Sequence, residues 1–296
     1  MLTFHPLTVH DREAVQAVTL HAGRRNCNYT FANLVGWQFW FHTEVCVLGD
    51  AVVFRFNYGG ERAYMICTAA GFPENLLEPL LVDSGGRLTL LGLEDSQLEP
   101  LRTRTGFRMS VEPIRNQYDY IYRRADLAAL QGGLLKAKRN HVNRFRTEHR
   151  DFDYRMLTPE LFDECRRLTA LWQEEKDALD NENGTIAAEQ RVIEIVFEHW
   201  DSLGMTGGSI FVGDQMVAFT YGAAVTTDTF DICVEKADRR VEGAFSIINQ
   251  QFAEHLPSQY IYLNREEDMG LSGLRKAKMS YHPAILLSYN KLTINV

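Results

Sequence analysis

The stretch NREED (264–268) follows the apolar run YIYL, and ten residues past Asp268 stands Lys278, in RKAKMS. An apolar strand that delivers polar groups at its carboxy end is where open sheets hold ligand-contacting residues. Asn264 and Glu266 are therefore candidates for a cleft, with Asp268 as a capping or lysine-pairing residue; the plain alternative for so charged a run is a solvated turn. Lys278 is a compact cation with the reach to meet a developing oxyanion. Upstream, DICVEK carries Glu235 near the end of a strand, where it is a candidate general base. Adjacent strand residues face opposite sides, so only one of Glu235 and Lys236 can face a cleft. An ion pair with Lys236 or Arg239 is the alternative. A base, an oxyanion donor and a donor cradle are what direct acyl transfer to an amine or hydroxyl needs, and no covalent intermediate is required.

The cradle is sought in RRVEGAF (239–245), which opens a helix. Arg239, Arg240, Gly243 and Ala244 are the candidate donor-binding residues, because helix-entry amides and the helix dipole favour anions. Phe245 stands where a small residue would suit a nucleotide pyrophosphate, which argues against acyl-CoA. The counterpart in the first half, TAAGFP (68–73), has no basic residue and puts Pro73, which lacks an amide, at the helix start. No nucleotide is expected there. No HExxH-like spacing occurs, and no metal is expected.

A third group lies mid-chain in LLKAKRNHVNRFRTEHR (134–150). Lys138, Arg139, Asn140 and Asn143 could contact phosphates of a tRNA on one helical face. The alternative is a connecting helix that packs through Leu135, Val142 and Phe145 while its charges meet water. The net charge of −8 leaves no wider basic surface and speaks against DNA binding. Five scattered cysteines without CxxC spacing suggest reduced thiols. A polar amino terminus and the lack of a long apolar run point to a cytoplasmic protein that does not enter a membrane.

These groups must be positioned by elements, and the chain writes its elements twice. FHPLT (4–8) matches YRMLT (154–158), LGDAVVFRFNYG (48–59) matches VGDQMVAFTYG (212–222), and RMSVEP (108–113) matches KMSYHP (278–283). The offsets grow in order, as insertions in a second copy would make them. The division expected is residues 1–125, a basic connecting helix at 126–150, and residues 151–296 with the cleft. In the second copy, Thr158-Pro159 starts a helix. Leu161, Phe162, Cys165 and Leu168 then share one helical face, as do Ile193, Val196, Phe197 and Trp200. Three antiparallel strands, a helix, a buried strand, a short helix and two closing strands follow.

That order, in a mixed and mainly antiparallel α/β (α+β) sheet, is similar to the GCN5-related N-acetyltransferase fold, here in tandem. The chain resembles a bacterial family of unknown function related to the catalytic part of phosphatidylglycerol lysyltransferases and, in plan, to Fem peptidyltransferases. The residues that carry the resemblance are KAKRNHVNRF (136–145) and NREEDMGLSGLRKAKMSYHP (264–283). It implies transfer of an aminoacyl group from tRNA, or an acyl group from CoA, to an amine or hydroxyl of a small-molecule or peptide acceptor. The other class of function left open is a non-catalytic binding module for a phosphorylated ligand or RNA.

Overall fold

A computed structural model describes residues 2–69, 73–102, 108–177 and 185–295. Two seven-stranded sheets form the scaffold. In the amino-terminal half, strands β1 (His5–Pro6), β2 (Glu44–Leu48), β3 (Ala51–Tyr58), β4 (Glu61–Thr68), β5 (Arg87–Leu93) and β6 (Arg108–Pro113) are accompanied by helices α1 (Arg12–Thr19), α2 (Phe31–Gly36), α3 (Gln38–Phe41), α4 (Leu77–Asp83) and α5 (Asp95–Arg102). Strand β7 (Asp119–Arg123), α6 (Arg124–Ala129) and α7 (Lys136–Glu148) lead into the second half. There follow β8 (Asp153–Met156), α8 (Phe162–Asp177), α9 (Thr185–Glu198), α10 (Trp200–Leu203), β9 (Thr206–Val212), β10 (Gln215–Ala224) and β11 (Thr229–Ala237). The chain closes with α11 (Ala244–His255), β12 (Tyr262–Asn264), α12 (Ser272–Met279), β13 (Ile285–Leu287) and β14 (Asn290–Asn295).

The two halves repeat each other locally. Thr8 and Thr158 each cap a short 3-10 turn after an edge strand, with Pro159 in the first turn of the second. Gly49 and Gly213 sit in corresponding hairpins with φ of +61° and +58°, a backbone region that glycine enters without the Cβ penalty. The third sequence pair does not behave this way. RMSVEP is strand β6, whereas KMSYHP runs from the last turn of α12 into a loop. Those letters recur without a recurring element, because Met-Ser fits an edge strand and a helix end equally well.

The sheets also exchange their closing strands. The first has the order β1-β2-β3-β4-β5-β14-β6 and the second β13-β7-β12-β11-β10-β9-β8. QYDYIY (117–122) and YNKLTI (289–294) close the two halves in sequence order, yet each is inserted into the other sheet. Strand β14 pairs with both β5 and β6, and β7 pairs with both β12 and β13. Most residues of both inserted strands are buried, Asp119 to Tyr122 in β7 and Leu292, Thr293 and Ile294 in the middle of β14.

One apolar core joins the halves. Leu34 and Val35 of α2 belong to the same buried cluster as Val192 and Val196 of α9 and Phe219 and Tyr221 of β10. A second cluster lies beneath α11, where Leu135, Val142 and Phe145 of the connecting segment meet Ile247, Ile248 and Phe252. The packing role expected for those three residues is thus the one they have. Removal of residues 290–296 is expected to loosen the amino-terminal sheet rather than the carboxy-terminal one, because β5 and β6 lose their shared partner. Faster proteolysis within residues 44–93, with 206–264 still protected, is the outcome to measure.

Candidate functional site

The second sheet is irregular where its two parallel strands meet. Strands β11 and β12 pair only through Thr229–Tyr262, Phe230–Leu263 and Asp231–Asn264, and then separate. Opposite this point β10 and β11 slip register: Tyr221 faces Val234 and Gly222 faces Ile232, which leaves Cys233 as an extra residue. Such bulges re-aim side chains. A Cβ on Gly222 would lie 1.7 Å from the carbonyl oxygen of Asp231, so only glycine lets the strands approach here.

Asp231 and Asn264 face each other across the ladder, so their side chains leave the same side of the sheet. The inserted strand β7 adds Asp119 there: Asn264 Nδ2 donates to Asp119 Oδ2 at 2.8 Å and to the carbonyl of Arg25 at 2.8 Å. The amino-terminal half supplies the rest. The Cys27 amide donates to Asp119 Oδ2 at 2.7 Å, Thr30 Oγ1 donates to Asp231 Oδ2 at 2.7 Å, and Asn33 Nδ2 reaches Asp231 Oδ2 and Glu266 Oε1 at 3.1 and 2.9 Å. Glu266 itself has φ +55°, an uncommon conformation for a non-glycine residue, held by its amide on Asn264 Oδ1 at 2.7 Å.

Charge is poorly balanced in this cluster, in which Asp119 and Asp231 are buried and Glu266, Glu267 and Lys278 half-buried. Asp119, Asp231, Glu266 and Glu267 lie around the end of β12, and the cation among them is Lys278. Its ammonium donates to the carbonyls of Arg265 and Glu267. Burial, and then Asp231 and Glu267, raise the Glu266 carboxyl well above its usual range, while burial raises Asp231 in the same direction. Among the described residues, Asp231 Oδ1 is buried without a hydrogen-bond partner, as is the hydroxyl of Tyr221. The donor atoms of Cys27, Asp119 and Glu267 lie within 4.8 Å of one another, and so do those of Asp231, Cys233 and Glu266. Both groups have the spacing to surround a small cation.

Lys278 is aimed by α12, an eight-residue helix in which no residue is buried. Asp268 anchors it, accepting from Arg275 Nε at 2.8 Å, Tyr120 Oη at 2.6 Å and Arg115 Nη1 at 3.0 Å. Burial works to raise the Asp268 carboxyl, but the Arg275 and Tyr120 hydrogen bonds outweigh it and hold the group below the carboxylate range. Asp268 pairs arginines, then, where a lysine was one expectation.

The structure thus brings Asn264, Glu266 and Lys278 together. Glu235 lies on the opposite face, towards α11, where its Oε1 accepts from Arg265 Nη2 at 2.8 Å and its Oε2 from Asn249 Nδ2 at 3.2 Å. The ion pair foreseen as its alternative exists, with Arg265 in place of Lys236 or Arg239. Arg240 holds Asp238 through Nε and Nη2 at 2.9 and 2.7 Å. Gly243 opens α11 with φ +85°, and a Cβ there would meet the His141 carbonyl at 2.9 Å and Phe145 Cβ at 3.0 Å. Ala244 is buried, Arg239 and Phe245 exposed. With α7 packed against the helix entry and Arg265–Glu235 bridging the parted strands, these residues do not fit a CoA arm laid between β11 and β12. The corresponding loop in the first half, residues 70–72 of TAAGFP, lies outside the described residues.

Of the basic patch, Arg139 donates to the carbonyls of Leu130 and Gly132, and Lys138 sits over the Tyr281 ring. Asn140 is exposed on α7, as is Asn143. A separate cleft of about 300 Å³, lined by Gln38, His42, Glu44, Arg55, Asn57 and Arg62, shares no residue with any of these groups. Asp119, Asp231, Thr30 and Asn33 were not foreseen. For the two acids a signal existed: each interrupts a run of apolar and aromatic residues, in YDYIY and FDICV.

Residues 21–290 match the family described as phosphatidylglycerol lysyltransferase, C-terminal. The chain belongs to that family. Among solved structures, a conserved protein of unknown function from Bacteroides thetaiotaomicron is 38% identical, with 100% of each chain covered and a TM-score of 0.94. The C-terminal domain of a putative lysylphosphatidylglycerol synthetase from Agrobacterium fabrum is 13% identical, covering 96% of this chain and 92% of that one, with a TM-score of 0.65. None of the curated proteins matches. Family membership and the two sheets together define a tandem acetyltransferase-like fold of the lysyltransferase type. Among the described residues no helix is long and apolar enough to cross a membrane.

Two outcomes follow from this geometry. Burial, and then Glu267, push Asp119 up to about 7 from the usual 3.8. The folded chain therefore holds that proton more tightly than the unfolded chain. Its stabilising contribution is full below pH 3.8 and is lost as pH rises to about 7. In Asp119→Asn the fall in stability over that window should flatten, by up to about 1.4 kcal/mol per pH unit, in urea melts at stepped pH. Gly243→Ala should cost about 1–2 kcal/mol or more in the same assay, since it adds a left-handed penalty to a contact with the backbone of α7.

Proposed function

We propose that this chain is an acyltransferase whose donor is an aminoacyl ester, that is, aminoacyl-tRNA in preference to acyl-CoA, and whose acceptor is an amine or hydroxyl of a small molecule or peptide. The observation that carries the reading is the surplus of buried carboxylate at the parted end of β11 and β12, with Asp231 Oδ1 unpartnered. Buried charge of one sign calls for a partner of the other. An aminoacyl group brings an ammonium directly beside the carbonyl to be attacked, whereas an acetyl group does not.

Each residue then has a role. Asp231 and Glu266, steadied by Thr30 and Asn33, receive the ammonium. Asp119, held near neutrality, takes the proton of the attacking amine or hydroxyl. Two of the three N–H bonds of Lys278 are used by main-chain carbonyls, and the third is the donor for the oxyanion. The attacking atom bonds to the ester carbonyl carbon, the bond from that carbon to the carrier oxygen breaks, the oxygen takes the proton back from Asp119 and leaves as a hydroxyl, and no enzyme-bound intermediate forms. Cytoplasmic location, where charged tRNA is available, belongs to the same proposal.

Transfer of a radiolabelled amino acid from charged tRNA to a panel of amines and alcohols tests it. Turnover with at least one aminoacyl donor is expected, and Asp231→Asn should lower it about ten- to a hundredfold, the loss of one charge-assisted contact. Thermal stabilisation by acetyl-CoA together with no turnover from any charged tRNA would overturn the reading.

A further inference from the structure

Four strands end the two sheets, and three of them are short. Strand β1 has two residues, β13 three and β8 four, as edges that resist further pairing usually are. The fourth, β6, runs for six residues, and among the described residues no strand lies on its outer side. The direction of its backbone groups is set by β14. The Ile114 amide donates to the carbonyl of Tyr289 at 2.9 Å, so residue 114 points towards β14, and alternation turns Pro113, Val111 and Met109 outward. Pro113 thus sits where its missing N–H costs no ladder bond. Met109 and Val111 are each left with an outward N–H and C=O.

The side chains of this edge are complementary to themselves. Met109 and Val111 lie half-buried against the cluster that holds Leu292 and Ile294, while Arg108, Ser110 and Glu112 are exposed on the opposite face. Neither Arg108 nor Glu112 has an ion-pair partner among the described residues, although Lys291 stands opposite Glu112 on β14. A second copy of the strand, laid antiparallel on this edge about a two-fold axis through Ser110, sets Arg108 against the partner's Glu112 and Met109 against the partner's Val111. Each Met109–Val111 pair then exchanges both of its main-chain hydrogen bonds and widens the apolar layer beside Leu292 and Ile294. A shift of two residues sets Pro113 opposite Met109 and forfeits a bond. Charges on an edge ordinarily repel a second strand, but an arginine and a glutamate placed symmetrically about Ser110 attract one. Glu112 comes to lie between Lys291 and the partner's Arg108.

We propose that β6 is the two-fold interface of a homodimer, in which the amino-terminal sheets of two copies join edge to edge through Arg108, Met109, Ser110, Val111 and Glu112. The two-fold arrangement uses up this edge on both copies, so association stops at two. One strand per chain buries less than the roughly 1,200 Å² of a stable complex, and the dimer is accordingly weak and concentration-dependent. It shares no residue with the groups at the end of β12 and is independent of the transfer chemistry.

Sedimentation velocity of the full chain, from micromolar to near-millimolar concentration at low salt, tests the interface. A reversible monomer–dimer equilibrium is expected. Arg108→Glu and Glu112→Arg, both at exposed positions, should each weaken it about tenfold or more, with circular dichroism unchanged. The double variant Arg108→Glu/Glu112→Arg should recover most of the loss, because the pair is restored with its signs exchanged. Register is read by Ser110→Cys, which brings two thiols together at a closely spaced pair and should give a disulfide-linked dimer on mild oxidation. Glu112→Cys, opposite the partner's Arg108, should give none; the native cysteines, buried or half-buried, keep the background low. A chain that stays monomeric throughout the range overturns the interface. So does a dimer that ignores both charge reversals, since it would form through another surface, and so does cross-linking by Glu112→Cys in place of Ser110→Cys.

Discussion

Everything at the candidate site depends on β7 lying beside β12. That pairing sets Ile121 opposite Asn264 and so brings Asp119, two residues away on the same face, within 2.8 Å of the asparagine amide. Without the inserted strand Asp119 would be missing from the end of β12, and the Cys27 turn would have no anchor. The Tyr120 hydroxyl that helps Asp268 hold α12 would be lost as well. A residue from the middle of the chain thus organises groups drawn from both of its ends.

The strand end also separates charge. Asp231, Asn264 and Glu266 face the first half of the molecule, through Thr30, Asn33 and the Arg25 carbonyl, while Glu235 and Arg265 pair on the side of α11. One side is rich in buried carboxylate and the other carries a cation in excess. Lys278 lies between, fastened to the two carbonyls that flank Glu266.

Local chemistry made much of this legible in advance. Thr158-Pro159, the hairpin glycines Gly49 and Gly213, and the apolar faces of α8 and α9 behave as their residue types dictate, because each depends on neighbours a few positions away. Asn264, Glu266 and Lys278 were legible as a group for the same reason, being close in sequence. Strand exchange was not, since the short segments YIY of β7 and LTI of β14 would suit the interior of either sheet. Asp119 and Asp231 went unnoticed because their partners, Cys27, Thr30 and Asn33, lie about 90 and 200 residues away. The likeness of RMSVEP and KMSYHP misled because composition shared over six residues does not fix backbone conformation.

Strand β14 has a bearing on how the molecule is made. Its seat between β5 and β6 stays empty until residues 290–295 have been synthesised, so the first sheet waits through the production of nearly the whole second half with two bare edges. Synthesis at several residues per second makes that interval long compared with strand pairing. The nascent chain therefore spends it with an open slot that a strand from a neighbouring ribosome could occupy.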